Sequence, residues 1–156
     1  MQKLNYLFVL TFAVSIFSNG FCQTVETEKE AIRRVINEAY VNGAFNDKTN
    51  EAMLKGFHET FTIQAGHDEW RITTLKSWMD ELSGWKKENA ENERGRDWSI
   101  TASAEINVLA VHGDGAVAGV ELSFGPEQSF TVFLSLHKFS EGWKIVNLLG
   151  THEIDE

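Results

Sequence analysis

Two side chains in this sequence have chemistry suited to moving a proton in a pocket, His58 and Tyr40. Histidine titrates near neutral pH, and a phenol can donate or accept at a carbonyl. His58 opens an alternating run in which Phe61 and Ile63 share one side and Thr60 and Thr62 the other. That alternation puts His58 on the polar side, where a satisfied structural histidine is the ordinary reading. Trp70, Trp78 and Trp85 could stack on a flat ligand, although Trp78 and Trp85 also fit an apolar helical stripe. Glu105 and Glu121 fall on the polar positions of two strands and could be imagined as an acid–base pair, but that face points away from the helices. The five histidines, His58, His67, His112, His137 and His152, have no i, i+4 pairing and no helical carboxylate at ligand spacing. No metal is expected, and no cofactor: the chain has neither a glycine-rich phosphate loop before a helix nor a Gly-x-Ser-x-Gly turn. No residue is assigned a catalytic role.

The elements that must position these groups are legible from periodicity. From Trp98 to Leu149 the sequence reads as four antiparallel strands. Ile100 to Ala110, Ala116 to Phe124 and Phe130 to Leu136 each alternate apolar and more polar residues. The breaks are turn chemistry: His112-Gly113-Asp114-Gly115, Gly125-Pro126-Glu127-Gln128 and Ser140-Glu141-Gly142. Upstream, Thr27 and Glu30 form a capping-box pattern, and Ile32, Val35, Ile36, Ala39 and Tyr40 make one apolar face, with Gly43 as a stop. A short helix is expected from Thr49 or Asn50 to Lys55, with Ala52, Met53 and Leu54 to the core. A strand follows over 58–65, then a turn at 66–69. A third helix starts near Thr73 or Thr74 with the stripe Leu75, Trp78, Leu82, Trp85. Residues 86–97 are a charged loop. Helices gathered on one side of an antiparallel sheet make an α+β fold. The alanines at 102, 104, 116 and 118 are small for a packed sheet, so a helix comes close there or a cavity remains.

Length and charge bound the rest. The 156 residues suit one domain, and 14 Lys+Arg against 23 Asp+Glu give a net charge of −9. Such a chain has no electrostatic footprint for nucleic acid. Residues 1–22 have the layout of a signal peptide: Lys3, an apolar run from Leu7 to Phe17, then Gly20 and Cys22 before Gln23. The run is shorter than the ~20 residues that span a bilayer. Cleavage near Cys22–Gln23 is expected, with export to the periplasm or the exterior and no membrane span in the mature chain. It would remove the one cysteine, and, by removing Lys3, shift the net charge from −9 to −10. Residues 23–156 then form a single domain.

Tyr40-Val41-Asn42-Gly43, Phe57-His58 and Gly142-Trp143-Lys144-Ile145-Val146-Asn147 together resemble the nuclear transport factor 2-like (NTF2-like) superfamily. The resemblance is closest to its putative lumazine-binding, polyketide-cyclase-like (SnoaL-like) branch and covers roughly residues 28–150. It implies a cone: a strongly curved antiparallel sheet with three N-terminal helices closing its concave face around a pocket. Two features depart from the branch. Glu59 stands where a proline often follows the histidine, and Val132-Phe133 where Asp-Tyr is common, which removes the most obvious pocket carboxylate. Tyr40, His58, Trp78, Ala102, Ala118 and Val132 are the expected pocket-lining residues. Phe133, His137 and Phe139, on the outer sheet face, are the expected contacts of a homodimer, because resembling proteins often pair there. The expected function is a pocket that binds a small apolar or aromatic ligand without catalysis. The alternatives are an isomerase, dehydratase or cyclase using His58 or Tyr40, and a dimeric interaction module.

Overall fold

The computed structural model describes residues 25–47, 49–66, 69–87, 100–126 and 128–150, and the side chains of 85–87 are not among them. Residues 1–22, on which the expected signal peptide falls, lie outside the described residues, as do His67, His152, Trp98 and most of the charged loop. The first helix, α1, spans residues 25–46. It is α-helical over 25–35 and wound with i→i+5 bonds over Ile36–Asn46, a pattern completed by the Asp47 amide on the Asn42 carbonyl at 2.7 Å. The apolar spacing explains the wider winding. Ile36, Tyr40, Val41 and Phe45 recur at intervals of four and five residues, and all are buried. Nine residues make two and a half α-turns, which would turn Phe45 away from Ile36; the wider winding keeps both on the core side.

Two sequence expectations for this helix change. It is already helical at Val25, so Thr27 is not its cap. It also runs through Gly43, which is kept small by packing: a Cβ there would lie 3.1 Å from the Ala52 Cβ and 3.3 Å from the Met53 amide. That neighbour is α2, Asn50–Gly56, which buries Met53 but leaves Leu54 exposed.

The sheet has six strands: β1 (Phe57–Ala65), β2 (Arg71–Thr74), β3 (Ala102–His112), β4 (Gly115–Phe124), β5 (Gln128–Phe139) and β6 (Gly142–Gly150), with α3 (Leu75–Lys87) after β2. Their order is β2-β1-β6-β5-β4-β3. The four-strand meander is antiparallel throughout, and β1 joins it by pairing with β6 in parallel. The sheet is therefore mixed at that one seam, where the Asn147 carboxamide donates to the Thr62 carbonyl at 3.1 Å. Strand β2 was not expected. Its four residues have no long alternating pattern, and pairing with β1 makes them a strand. Thr74 ends β2, and its hydroxyl accepts the Ser77 amide at 3.3 Å, starting α3.

Alternation delivers the core. Ala116, Ala118, Val120, Leu122 and Phe124 are buried from β4, and Val132, Leu134 and Leu136 from β5, facing Ile32, Ile36, Tyr40 and Met53 of the helices. On β3 the alternation breaks once. Val108 pairs with Ala118 but Ala110 pairs with Val117, so Leu109 is a bulge. The bulge turns Ala110 outward, against the simple alternation, and brings Val111 inward beside Ala116.

Candidate functional site

The concave side gathers aromatic rings from every layer. Trp78 of α3 sits among Tyr40 and Phe45 of α1, with ring centroids 6.1 and 6.4 Å away, and Phe57 and Phe61 of β1, at 5.6 and 5.9 Å. Tyr40 meets Phe45 edge-on at 5.2 Å, and Phe57 meets Phe61 at 4.6 Å. The cluster continues from Phe45 to Phe124 at 5.4 Å, and from Phe124 to Phe130 at 5.9 Å. Edge-to-face and tilted pairs at these separations are mutually attractive beyond the area that they bury. Trp78 is 6% exposed and Tyr40 1%.

Ala102, Ala118 and Val132 are buried on the same sheet face. Ala102 pairs with Phe124 and so stands beside the ring cluster. It also fixes the end of α1: the Asn46 carboxamide donates to the Ala102 carbonyl at 3.0 Å and accepts the Ala102 amide at 2.7 Å. Asn42 Oδ1 accepts from the same Asn46 nitrogen at 3.0 Å.

His58 is placed with the outer-face residues rather than with Tyr40. Its ring stacks flat on Phe139, with centroids 4.5 Å apart and planes 4° from parallel, while His137 meets Phe139 edge-on at 4.8 Å. The His58 Nδ1 lies 2.8 Å from the Thr60 hydroxyl and 3.3 Å from the Thr60 amide. The remaining dimer-face candidate, Phe133, lies further along β5 beside Gly119 and Leu149. Glu105 and Glu121 stand directly opposite each other on this outer face, exposed. Among the described residues no three His, Cys, Asp or Glu side chains converge to hold a metal.

The sequence reading did not single out Phe45, Phe57, Phe61 or Phe124 as part of this cluster. Phe45 carried a usable signal, its spacing from Ile36 and Tyr40, which an α-helical period hides. The convergence of the other three on Trp78 depends on how α3 crosses β1, which no local pattern encodes.

A depression of about 900 Å³ opens away from these rings, between α1, α2 and the β5–β6 turn. Its small apolar floor, including Ala31, Ala39 and Gly56, is rimmed by charges of both signs, among them Arg34, Glu38, Lys55 and Lys144. Glu28 holds this region together. Its carboxylate accepts from Lys138 Nζ and from the Trp143 indole N–H, each at 2.6 Å, and these bonds hold its pKa below the usual carboxylate value.

Residues 27–149 match the model of the family described as putative lumazine-binding. The chain belongs to that family. The fold of this lumazine-binding-family chain is that of solved NTF2-like proteins. One of unknown function from Shewanella baltica OS155 is 19% identical, with a TM-score of 0.61 over 83% of this chain and 96% of that one. Another of unknown function, from Methylobacillus flagellatus KT, is 25% identical, with a TM-score of 0.52 over 79% and 90%. An NTF2-like protein from Cytophaga hutchinsonii is 14% identical, with a TM-score of 0.55 over 81% and 98%. Among curated proteins none matches the sequence.

Proposed function

We propose that this chain is an exported domain that binds a small apolar or aromatic molecule on the concave face of its sheet, without turning it over. The observation that carries the reading is the convergence of Tyr40, Phe45, Phe57, Phe61, Trp78 and Phe124 there, with no charged side chain buried among the described residues. Shape and apolar burial supply most small-ligand affinity, so such a site binds without a charged anchor. Acid–base catalysis needs a titratable group within hydrogen-bond reach of the reacting atom. His58 lies on the opposite face, stacked on Phe139, which leaves Tyr40 as the candidate on this one. Native mass spectrometry of protein purified from its own source tests the binding: a retained small molecule is expected, and a bare chain counts against it. Turnover of a ketosteroid, dehydratase or epoxide substrate that Tyr40→Phe or His58→Ala abolishes in a folded protein would favour the enzyme instead. Export rests on residues 1–22, and intact-mass analysis of the exported product should find Gln23 as its first residue.

The second part of the proposal is a homodimer through the outer sheet face. Ile72, Leu149, Phe133, Val117 and Leu109 come from five strands, β2, β6, β5, β4 and β3, and all are exposed. Gly119 leaves the space that the Phe133 ring covers: a Cβ there would meet the Phe133 Cε1 at 3.6 Å. Leu149 pairs with Phe133, and Leu109 and Phe133 both border Gly119, so these three form an apolar patch of a kind uncommon on monomers, while Gln64 separates Ile72 from it.

A further inference from the structure

The depression beside α1 is held open by bonds between its walls. Lys144 of β6 donates to the Lys55 carbonyl of α2 at 2.6 Å, which ties two of them. Glu28 of α1 ties the third, through Lys138 and Trp143 of the last hairpin. Small residues build the floor. Ala31, Ala39 and Ala52 offer methyl groups, and Gly56 has no room for one, since a Cβ there would come 2.2 Å from the Ala39 Cβ. At about 900 Å³ the space is in the size range of sites that take small organic ligands.

The charges around it have a direction. Two glycine contacts show that α2 runs antiparallel to α1. Gly43 of α1 lies against Ala52 near the start of α2, and Gly56 at its end lies against Ala39 and Val35. Lys55, next to Gly56, is therefore level with Arg34 and Val35, while Asp47 lies beyond Ala52 at the far end. Other rim charges are already matched: Lys138 pairs with Glu28, and Glu141 has Lys144 as a near counter-charge. Among the described residues, the side chains of Arg34, Lys55 and Asp47 make no hydrogen bond or ion pair, nor does that of Glu38 between the two ends. Arg34 and Glu38 are four residues apart, but the change to the wider winding at Ile36 falls between them.

We propose that this depression binds a short peptide with free ends, its carboxylate between Arg34 and Lys55 and its ammonium at Asp47. The site is separate from the concave face and does not depend on the reading given for that face. A zwitterion answers unpaired charges of both signs at opposite ends, where a simple anion or cation would answer only one. The span sets the length. Arg34 and Asp47 are 13 residues apart along α1, about 20 Å at α-helical rise and less where the winding is wider. Four residues of extended chain cover about 13 Å, and the long Arg34 and Lys55 side chains reach inward over the rest. A shallow floor of methyl groups suits a peptide with small side chains.

Tetra-alanine is the probe, titrated into isotope-labelled protein and followed by amide chemical shifts. The shifts should concentrate at residues 31–56 and 138–144 and saturate with a Kd of about 1 mM or below. Acetylating the peptide's amine or amidating its carboxylate should each weaken binding about fivefold, the scale of one exposed ion pair. Lys55→Gln should weaken the free peptide by the same factor and leave the amidated form unchanged. Asp47→Asn should likewise weaken the free peptide and spare the acetylated form. Both residues are exposed, so neither change should disturb the fold. Equal binding of a doubly capped peptide, or no shift at about 10 mM, would overturn the proposal. So would shifts confined to concave-face residues such as Ala118 and Val132, and so would variants that weaken free and capped peptides alike.

Discussion

Glu28 in the first helix and Trp143 at the start of the last strand meet across 115 residues of sequence, the carboxylate accepting the indole N–H at 2.6 Å. Lys138 bonds the other oxygen of the same carboxylate at 2.6 Å. One acidic side chain thus clamps the N-terminal part of α1 to both strands of the last hairpin. The two bonds favour the charged form, Lys138 first and Trp143 second, so the folded-state pKa lies below the unfolded one. The stabilisation is therefore present above the ordinary carboxylate pKa and is lost as pH falls through the lower folded value. The side chain is 30% exposed, which weakens the ion pair. Glu28→Gln should cost about 1 kcal/mol at neutral pH. Urea unfolding at pH 7 and under strongly acidic conditions checks this, since the gap between the two proteins should close in acid.

Asn46 acts as a one-residue strand partner for Ala102, donating to its carbonyl and accepting its amide. Replacement by alanine leaves both backbone groups without that partner, at a cost of about 2 kcal/mol. Asn46→Asp keeps the acceptor for the amide but sets a carboxylate oxygen against the Ala102 carbonyl and Asn42 Oδ1, so at neutral pH it should lose at least as much stability as alanine in chemical denaturation. A near-wild-type Asn46→Asp would show that the two donor bonds contribute nothing.

Helices α1 and α2 approach closely at Ala39 and Gly56, where a Cβ on Gly56 would come 2.2 Å from the Ala39 Cβ. Gly56→Ala should cost about 2 kcal/mol through overpacking. Ala39→Gly vacates the same space. The double variant should recover part of the loss, a coupling that a double-mutant cycle on unfolding free energies measures directly.

Phe133 is the centre of the proposed dimer face, beside Gly119 and Leu149. A charge there should dissociate the dimer and spare the fold, since the ring is 37% exposed and outside the buried core. Light scattering on Phe133→Glu should report a monomer and on the wild type a dimer at about ten micromolar, a concentration suited to a μM-class interface. A monomeric wild type would remove the dimer, and with it the function given to the outer apolar band.

The sequence by itself determined the class of fold and most of its elements. Period-two alternation located β3 to β6, because a strand with one covered face must place every second residue inward; Ala118, Val132 and Leu134 are buried as that rule requires. It also separated His58 from Phe61, since neighbours across an odd spacing point to opposite faces. Tertiary structure decided what periodicity does not carry. The wider winding of α1 keeps Phe45 in the core because Ile36 and Phe45 share a face only under i→i+5 bonding. The bulge at Leu109 reversed Ala110, a shift that exists only relative to Val117 on the partner strand. Strand β2 formed because β1 offered an edge to its four residues. The ring cage around Trp78 required α3 to cross β1 at one place, and that crossing is set by contacts between segments that are far apart in the sequence. Local pattern reports which face of an element is covered, while only the assembled fold fixes which side chains cover it.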